Sequence, residues 1–514
     1  MDSQQFREFG KAAIDFVADF YDNVRNKDVL PSVEPGYLFH TLPESAPEEP
    51  EDWKTVFNDF KDTILPGVSM WQSPQFHAYF ACGSSFPSII GSLLTDGLGM
   101  TGITWIGSPV FTELEVVTLN WLGKLLHLPE EFLNCSSGPG GGVIQGSASE
   151  AILMCLVAAK EKTVRRMMNL DPNLDEDQIK LKLVAYTSAD CNSAIEKSSI
   201  IGSMKMRLLK TDSSGRLRGD VLKKAFKEDR EKGLIPCYVV ATLGTTGTCA
   251  FDPLDELGPV CQEEKVWLHV DAAYAGAAFI CPEYKHLMNG VHHADSFNFN
   301  AHKWLLVNMA CSPMWVKDGF DFIKAFDVQR IYLDDNNSND QIPEYRHWQL
   351  PLGRRFRALK LWMVLKAYGA KGLRMHIRNQ VRLAQYFAQL VRTDDRFIVD
   401  PEPSMALVCF RLVQGDELTK KLLDILTDKR KVFMVAAYSG KRLVIRVVIN
   451  TQSTEQSDID ETWRLIQTEA DNLLLGHTHI ERIQLVATRP RPARTPSRRV
   501  AVVFDSDLTK EYSI

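Results

Sequence analysis

The spacing of apolar positions changes along the chain, and each change predicts a different kind of element. Phe6, Phe9, Ala13, Phe16, Phe20 and Val24 recur at three- and four-residue intervals, while Arg7, Lys11, Asp15 and Asp22 fall on the other side; this predicts an amphipathic helix. Residues 30–52 are rich in Pro and Glu and read as extended chain rather than helix or sheet. A helix with one apolar face and an extended arm need a surface to cover, which is either the rest of the fold or a second subunit.

From about Phe86 to Lys317 short apolar and β-branched runs alternate with helical stretches. Strands are predicted at 181–188, 237–244, 266–273 and 296–302. This alternation predicts an α/β fold with a mainly parallel central sheet flanked by helices and a ligand crevice at the strand carboxyl ends. From Arg355 the order becomes long helix, strand (LVCFRL), helix (ELTKKLLDILTD), strand pair (FMVAA and LVIRVVIN) and helix (DIDETWRLIQTEADNLL). The expected organisation is therefore an N-terminal helical and extended arm at 1–85, a large α/β domain at 86–354, and a smaller C-terminal α/β domain at 355–480. Residues 481–514 form a tail whose basic, Pro-rich run RPRPARTPSRR reads as disordered and solvated.

A chain of 514 residues, 45% hydrophobic and 24% charged, has the size for two or three domains and the make-up of a folded globular protein. Lys and Arg number 59 against 65 Asp and Glu, so overall charge gives no reason to expect nucleic acid as a partner. The ten cysteines are scattered without a C-x-x-C pair or ligand-spaced histidines, which points to reduced thiols in the cytoplasm rather than to disulfides or a metal site. The N-terminus is charged where a signal peptide needs an apolar core. Nor does any uncharged apolar run reach the roughly 20 residues of a membrane helix.

Three short features carry candidate chemistry. Gln145-Gly146-Ser147-Ala148-Ser149-Glu150 leads small residues into an apolar helix, which suits either an anion site or an ordinary helix cap. Asp271 ends an apolar strand, where a carboxylate should face the crevice; no companion carboxylate is in reach, which makes a metal the poorer option. Lys303, in Asn300-Ala301-His302-Lys303-Trp304, has the apolar and aromatic company that depresses an amine pKa and permits imine chemistry. Together they supply a phosphate cup, an acid for a pyridine nitrogen and an amine for an aldehyde.

With these residues the sequence resembles the pyridoxal-phosphate-dependent aromatic-L-amino-acid decarboxylases (group II decarboxylases), of fold type I, from residue 1 to about 480. The markers are Pro74-Gln75-Phe76-His77-Ala78-Tyr79-Phe80, Ser108-Pro109 with Thr112-Glu113-Leu114-Glu115, the 145–150 run, Asp271-Ala272-Ala273, Asn300-Ala301-His302-Lys303, and Tyr345-Arg346-His347-Trp348 leading to Leu352-Gly353-Arg354-Arg355. The resemblance implies pyridoxal 5'-phosphate bonded covalently to Lys303, Asp271 on the pyridine nitrogen and Ala273 beneath the ring. Ala148, Ser149 and Asn300 would hold the phosphate, with Ser147, Thr246 and His302 also at the cofactor. Trp71, Tyr79, Phe80 and Ile103 would shape a pocket for a small aromatic amino acid. Residues 327–344 match the family's mobile loop, with Tyr332 as the proton donor to Cα. A homodimer with shared active sites is implied too, Ile103 crossing to the neighbour.

Two departures redirect the expected chemistry. Asn192 stands where the decarboxylases stack a histidine on the cofactor, and Ala81-Cys82 stands where they have Pro-Thr, so that Cys82 replaces the threonine that meets the substrate's ring hydroxyls. Asn192 has no titratable ring. If protonation of Cα is slowed, dioxygen can take the electrons instead. In this respect the chain resembles the insect-type 3,4-dihydroxyphenylacetaldehyde synthases, which act on L-dopa with O2 as co-substrate. They release aldehyde, CO2, NH3 and H2O2. A simple decarboxylase giving dopamine or a related amine is the alternative. A histidine or glutamate decarboxylase and a catalytically silent relic are the more distant ones.

Overall fold

The computed structural model describes residues 1–327 and 342–487. The chain divides into two compact units, 1–469 and 470–514. Of the second, the described part is the continuation of the helix Gln456–Ala487. That helix passes residue 480, where the tail was expected to begin; the basic run 489–499 lies outside the described residues.

The first unit is built on a seven-stranded sheet of β1 (Gly141–Gln145), β2 (Leu183–Ser188), β3 (Lys205–Leu209), β4 (Ile235–Thr242), β5 (Trp267–Asp271), β6 (Ser296–Asn298) and β7 (Ser312–Val316), in the order β1-β7-β6-β5-β4-β2-β3. Strands β3, β2, β4, β5 and β6 pair in parallel, and β7 pairs antiparallel with both β6 and β1. The sheet is thus mixed but mainly parallel, as the alternating pattern implied. Strands β2, β4 and β5 are buried along almost their whole length, as expected of strands covered on both faces. The helices Ser193–Ile201, Gly219–Glu231 and Leu254–Glu264 link successive parallel strands. The helix Ala148–Leu170 lies on the sheet, where Tyr238 Oη donates to the Ile152 carbonyl at 3.1 Å.

A second, four-stranded sheet joins β8 (Phe397–Val399), β9 (Leu407–Leu412), β10 (Val435–Ser439) and β11 (Arg442–Val448) in the order β10-β11-β9-β8, all antiparallel. The long helix ahead of it, Arg357–Arg392, is two helices meeting at Gly369, whose φ of 61° breaks the helical run.

The N-terminal helix, Ser3–Asn23, begins with a capping box: Asp2 accepts from the Gln4 and Gln5 amides while the Gln5 side chain accepts from the Asp2 amide. Its aromatic face meets the helix Trp53–Asp59, with Phe9 5.1 Å from Trp53 and Phe16 5.6 Å from Phe57, ring centre to ring centre. None of its residues is buried, and Phe6 remains 63% exposed. The arm 30–52 is not wholly extended. Its stretch between Pro35 and Pro43 carries no proline and forms the short helix Tyr37–Thr41 behind Gly36 at φ 89°.

The sequence pattern also did not single out β1, β3, β7 and β8, and the strands it did predict differ at their ends. The predicted strand 296–302 stops at Asn298, and Ala301–Trp304 is a helical turn. Strands β4 and β5 end at Thr242 and Asp271, short of 244 and 273, because the chain leaves the sheet there to form the crevice.

Candidate active site

The carboxyl ends of β2, β4, β5 and β6 deliver Asn192, the turn 244–247, Asp271 and the segment 300–303 to one crevice. Asp271 is 3% exposed, and its Oδ1 accepts from the Ala273 amide at 3.0 Å. Burial raises its pKa, while Lys303, the Ala273 amide and Asn298 oppose the shift. The opposite change occurs at Lys303, whose amine is pushed down by burial and drawn back up by Asp271. The buried acid and the half-buried amine thus influence each other, and the amine lies 5.6 Å from the centre of the Phe80 ring.

The segment carrying Lys303 is fixed through its backbone. Asn450 Nδ2 donates to the Lys303 carbonyl at 2.7 Å and to the Ala81 carbonyl at 2.6 Å, and the Gly83 amide donates to the His302 carbonyl at 2.7 Å. A Cβ at Gly83 would stand 3.2 Å from the Lys303 carbonyl oxygen, a tight approach that favours glycine. His302 is buried, with Nδ1 2.8 Å from the Cys311 carbonyl, and burial lowers its pKa to about 4. Asn300 is 4% exposed and its Oδ1 is buried without a partner.

At the start of the helix Ala148–Leu170, Ser147 is the cap: its Oγ accepts from the Glu150 amide at 3.3 Å, and Glu150 in turn accepts from the Gly146 amide at 2.7 Å. The Ser147 hydroxyl is therefore engaged locally. Ala148 and Ser149 occupy the first helical turn, where amides lack helical acceptors.

Asn192 caps the helix Ser193–Ile201. Its Oδ1 accepts from the Ala194 amide at 2.9 Å and its Nδ2 donates to Thr246 Oγ1 at 2.8 Å. Thr246 sits in a turn opened by Gly244 at φ 94°, where a Cβ would meet the Ala275 Cβ at 2.7 Å.

On the pocket side, Phe80 is 8% exposed and stacks on Tyr274 with centroids 3.7 Å apart. Tyr79 takes the left-handed conformation, φ 57°, is 48% exposed, and lies 5.9 Å from Trp71. Cys82 Sγ is 3.8 Å from Met309 Sδ; burial raises its thiol pKa and the charge of Lys303 opposes that rise. Ile103 stands on a separate segment, next to the Gly102–Arg354 backbone bridge, and is 43% exposed. Tyr332 and most of loop 327–344 lie outside the described residues.

Sequence reasoning missed Arg446, on β11. It is 2% exposed, lies 4.4 Å from the Phe80 ring centre, and donates to the Thr246 carbonyl at 2.8 Å and the Tyr79 carbonyl at 2.7 Å. It thereby ties the Asn192–Thr246 pair to the aromatic pocket. The signal was an arginine inside the otherwise apolar run LVIRVVIN, since arginine is rarely fully buried without a specific task. Other family markers serve the scaffold: Glu115 and Arg354, each 3% exposed, pair at 2.6 Å.

Residues 35–413 match the pyridoxal-dependent decarboxylase conserved domain, and the chain belongs to that family. Among relatives, it is 53% identical over 478 residues to the 3,4-dihydroxyphenylacetaldehyde synthase of Aedes aegypti, covering 93% of this chain and 91% of that one. It is 47% identical to the aromatic-L-amino-acid decarboxylase of Drosophila melanogaster, covering 92% of each. The crystal structure of Oryza sativa TDC with PLP and tryptamine superposes with a TM-score of 0.88 at 34% identity, covering 92% of this chain and 99% of that one.

Proposed function

We propose that the protein is an aromatic acetaldehyde synthase that converts L-dopa, O2 and H2O to 3,4-dihydroxyphenylacetaldehyde, CO2, NH3 and H2O2. The bond from Cα to the carboxylate breaks, two electrons and two protons pass to dioxygen, and water replaces the nitrogen at the oxidised carbon. Likeness to the Aedes aegypti synthase supports this reading. The observation that carries it is the Asn192 amide, engaged at both ends and without an ionisable group to give or take a proton.

The residues fit pyridoxal phosphate: a half-buried amine, a buried carboxylate and the unpartnered Asn300 oxygen lie along one set of strand ends. When bound, the cofactor supplies an electron sink for bond cleavage at Cα. Lys303 would hold it covalently and Asp271 would keep a proton at its ring nitrogen. Ala148, Ser149 and Asn300 would hold the phosphate, Ala273 would leave room beneath the ring, and Thr246 and His302 would border it. Trp71, Tyr79, Phe80 and Cys82 would line the aromatic pocket and keep water out. Tyr332 would donate a proton to Cα, and without a histidine at 192 that delivery is slow enough for dioxygen to compete.

The working form is a homodimer, a reading supported by the exposed apolar residues Phe86, Leu93 and Leu98 on and beside the helix Phe86–Gly97 and by the uncovered Phe6. A cytoplasmic location agrees with ten unpaired cysteines. No helix among the described residues is long and apolar enough to cross a membrane.

The second reading, a decarboxylase giving dopamine, is favoured by the Tyr332 in the sequence and by the Drosophila relative. An oxygen electrode separates the two. Oxygen uptake on adding L-dopa to the cofactor-loaded protein supports the synthase; amine release without uptake supports the decarboxylase.

A further inference from the structure

Beneath Asp271 runs a line of buried polar side chains that a cofactor site does not by itself require. In the parallel pairing of β5 with β6, His269 stands opposite Ser296 and Asp271 opposite Asn298. The two-residue period of a strand puts His269 and Asp271 on one face of β5. His269, Ser296 and Asn298 are all 0% exposed. The Trp267 indole N–H donates to Ser296 Oγ at 2.8 Å, Ser296 Oγ lies 2.7 Å from His269 Nδ1, and His269 Nε2 lies 2.8 Å from Asn298 Oδ1.

The direction of these bonds follows from what each atom can do. The Asn298 amide oxygen only accepts, so His269 Nε2 carries the proton. Burial keeps the ring neutral by lowering its pKa to about 4, so Nδ1 is left to accept from the Ser296 hydroxyl. Asn298 is thereby oriented with Oδ1 toward His269. Its Nδ2 has no partner at hydrogen-bond distance, and its side chain favours the charged form of Asp271. From the indole to Asn298 the donors run in one direction, toward the strand end that carries Asp271, an arrangement in which each bond polarises the next.

We propose that His269 is a positioning residue for the cofactor: with Ser296 fixing its tautomer, it holds the Asn298 amide so that the amide N–H group faces the Asp271 carboxylate. The proposal rests on the reading of Asp271 as the partner of the pyridine nitrogen. Outer hydrogen-bond partners of this kind orient the group that makes contact and tune its charge. In this chain they link the strand β6 to the acid on β5.

The test compares full-length wild type with His269→Leu, His269→Gln, Ser296→Ala and Asp271→Asn. Three quantities are read: the Kd of the apoprotein for pyridoxal phosphate, the pH midpoint of the bound cofactor's visible absorption, and the melting temperature of the apoprotein. His269→Leu should weaken cofactor binding about tenfold, the scale on which such outer partners act, and move the spectral midpoint. His269→Gln, which keeps an N–H donor, should recover most of the affinity. If His269→Leu does not fold, Ser296→Ala carries the test, with a smaller shift in the same direction. A folded His269→Leu or Ser296→Ala variant with wild-type Kd and midpoint overturns the relay. If Asp271→Asn changes both quantities in that case, only the relay fails; if Asp271→Asn changes neither, the reading of Asp271 fails with it.

Discussion

Asn192 Nδ2 donates to Thr246 Oγ1 at 2.8 Å, and the carbonyl of the same threonine accepts from Arg446 Nε at 2.8 Å. The residue that departs from the decarboxylase pattern is thus held by a turn that the second sheet also holds. An amide fixed in this way can orient a neighbour but cannot pass a proton.

Replacing it by a titratable ring should redirect the product. Asn192→His is expected to raise the amine-to-aldehyde ratio from L-dopa by at least about tenfold, short of the roughly hundredfold or more that a well-placed general acid contributes. Chromatographic quantitation of both products checks this. An unchanged ratio in a variant that binds cofactor normally would remove Asn192 from the explanation.

The Asp271–Lys303 pair predicts separable losses. Lys303→Ala should leave no cofactor attached after borohydride reduction followed by gel filtration in denaturant, whereas Asp271→Asn should keep the covalent link and weaken affinity. The basis is that Lys303 alone offers an amine beside Asp271 and Cys82 among the described residues. Mass spectrometry after borohydride reduction reads the first effect and apoprotein titration the second.

The helical arm, the mainly parallel sheet, Asp271 and Lys303 were legible in the sequence because each depends on a local pattern: a period, a run of β-branched residues, or a charge set among aromatics. The strands β1, β3, β7 and β8 were not. Gly141 and Gly142 dilute β1, Lys205 and Arg207 give the edge strand β3 a polar look, and β8 has only three residues. Arg446 and Asn450 escaped for a different reason. Their roles arise from contacts with residues some 150 to 370 positions away in the chain, and no local spacing reports such a contact. The His269–Asn298 link is likewise visible only once β5 and β6 lie side by side.

Glu115 and Arg354 pair at 2.6 Å in a site where both are 3% exposed, and Glu115 also accepts from the Ile144 amide at 2.7 Å. Glu115→Ala leaves a buried guanidinium without its counter-charge and should cost about 3–5 kcal/mol. Urea denaturation measures this. The double change Glu115→Leu with Arg354→Met should regain part of the loss, because it removes both charges.

Four histidines set the acid side of the stability profile. Burial lowers the pKa of His77, His269, His302 and His376 to about 4. Between the ordinary value of 6.5 and about 4 the unfolded chain binds protons that the folded chain does not, so stability is full above that window and falls as pH drops through it. Asp252, raised by burial to about 7, acts in the opposite sense, as do Asp271 and Asp295, whose pKa values burial also raises; the four histidines outnumber them. Melting temperatures should therefore decline from about pH 6.5 downward. His77→Gln, which keeps polar groups near Val448 and Thr462, should flatten the decline.

The most direct test of the proposed activity is to give cofactor-loaded protein L-dopa in air and quantify CO2, H2O2, aldehyde and amine in the same reaction. Equal amounts of CO2, H2O2 and aldehyde, with little amine, are the predicted result. CO2 matched by dopamine, with no H2O2, would contradict the account and make Asn192 a substitution that leaves ordinary decarboxylation intact.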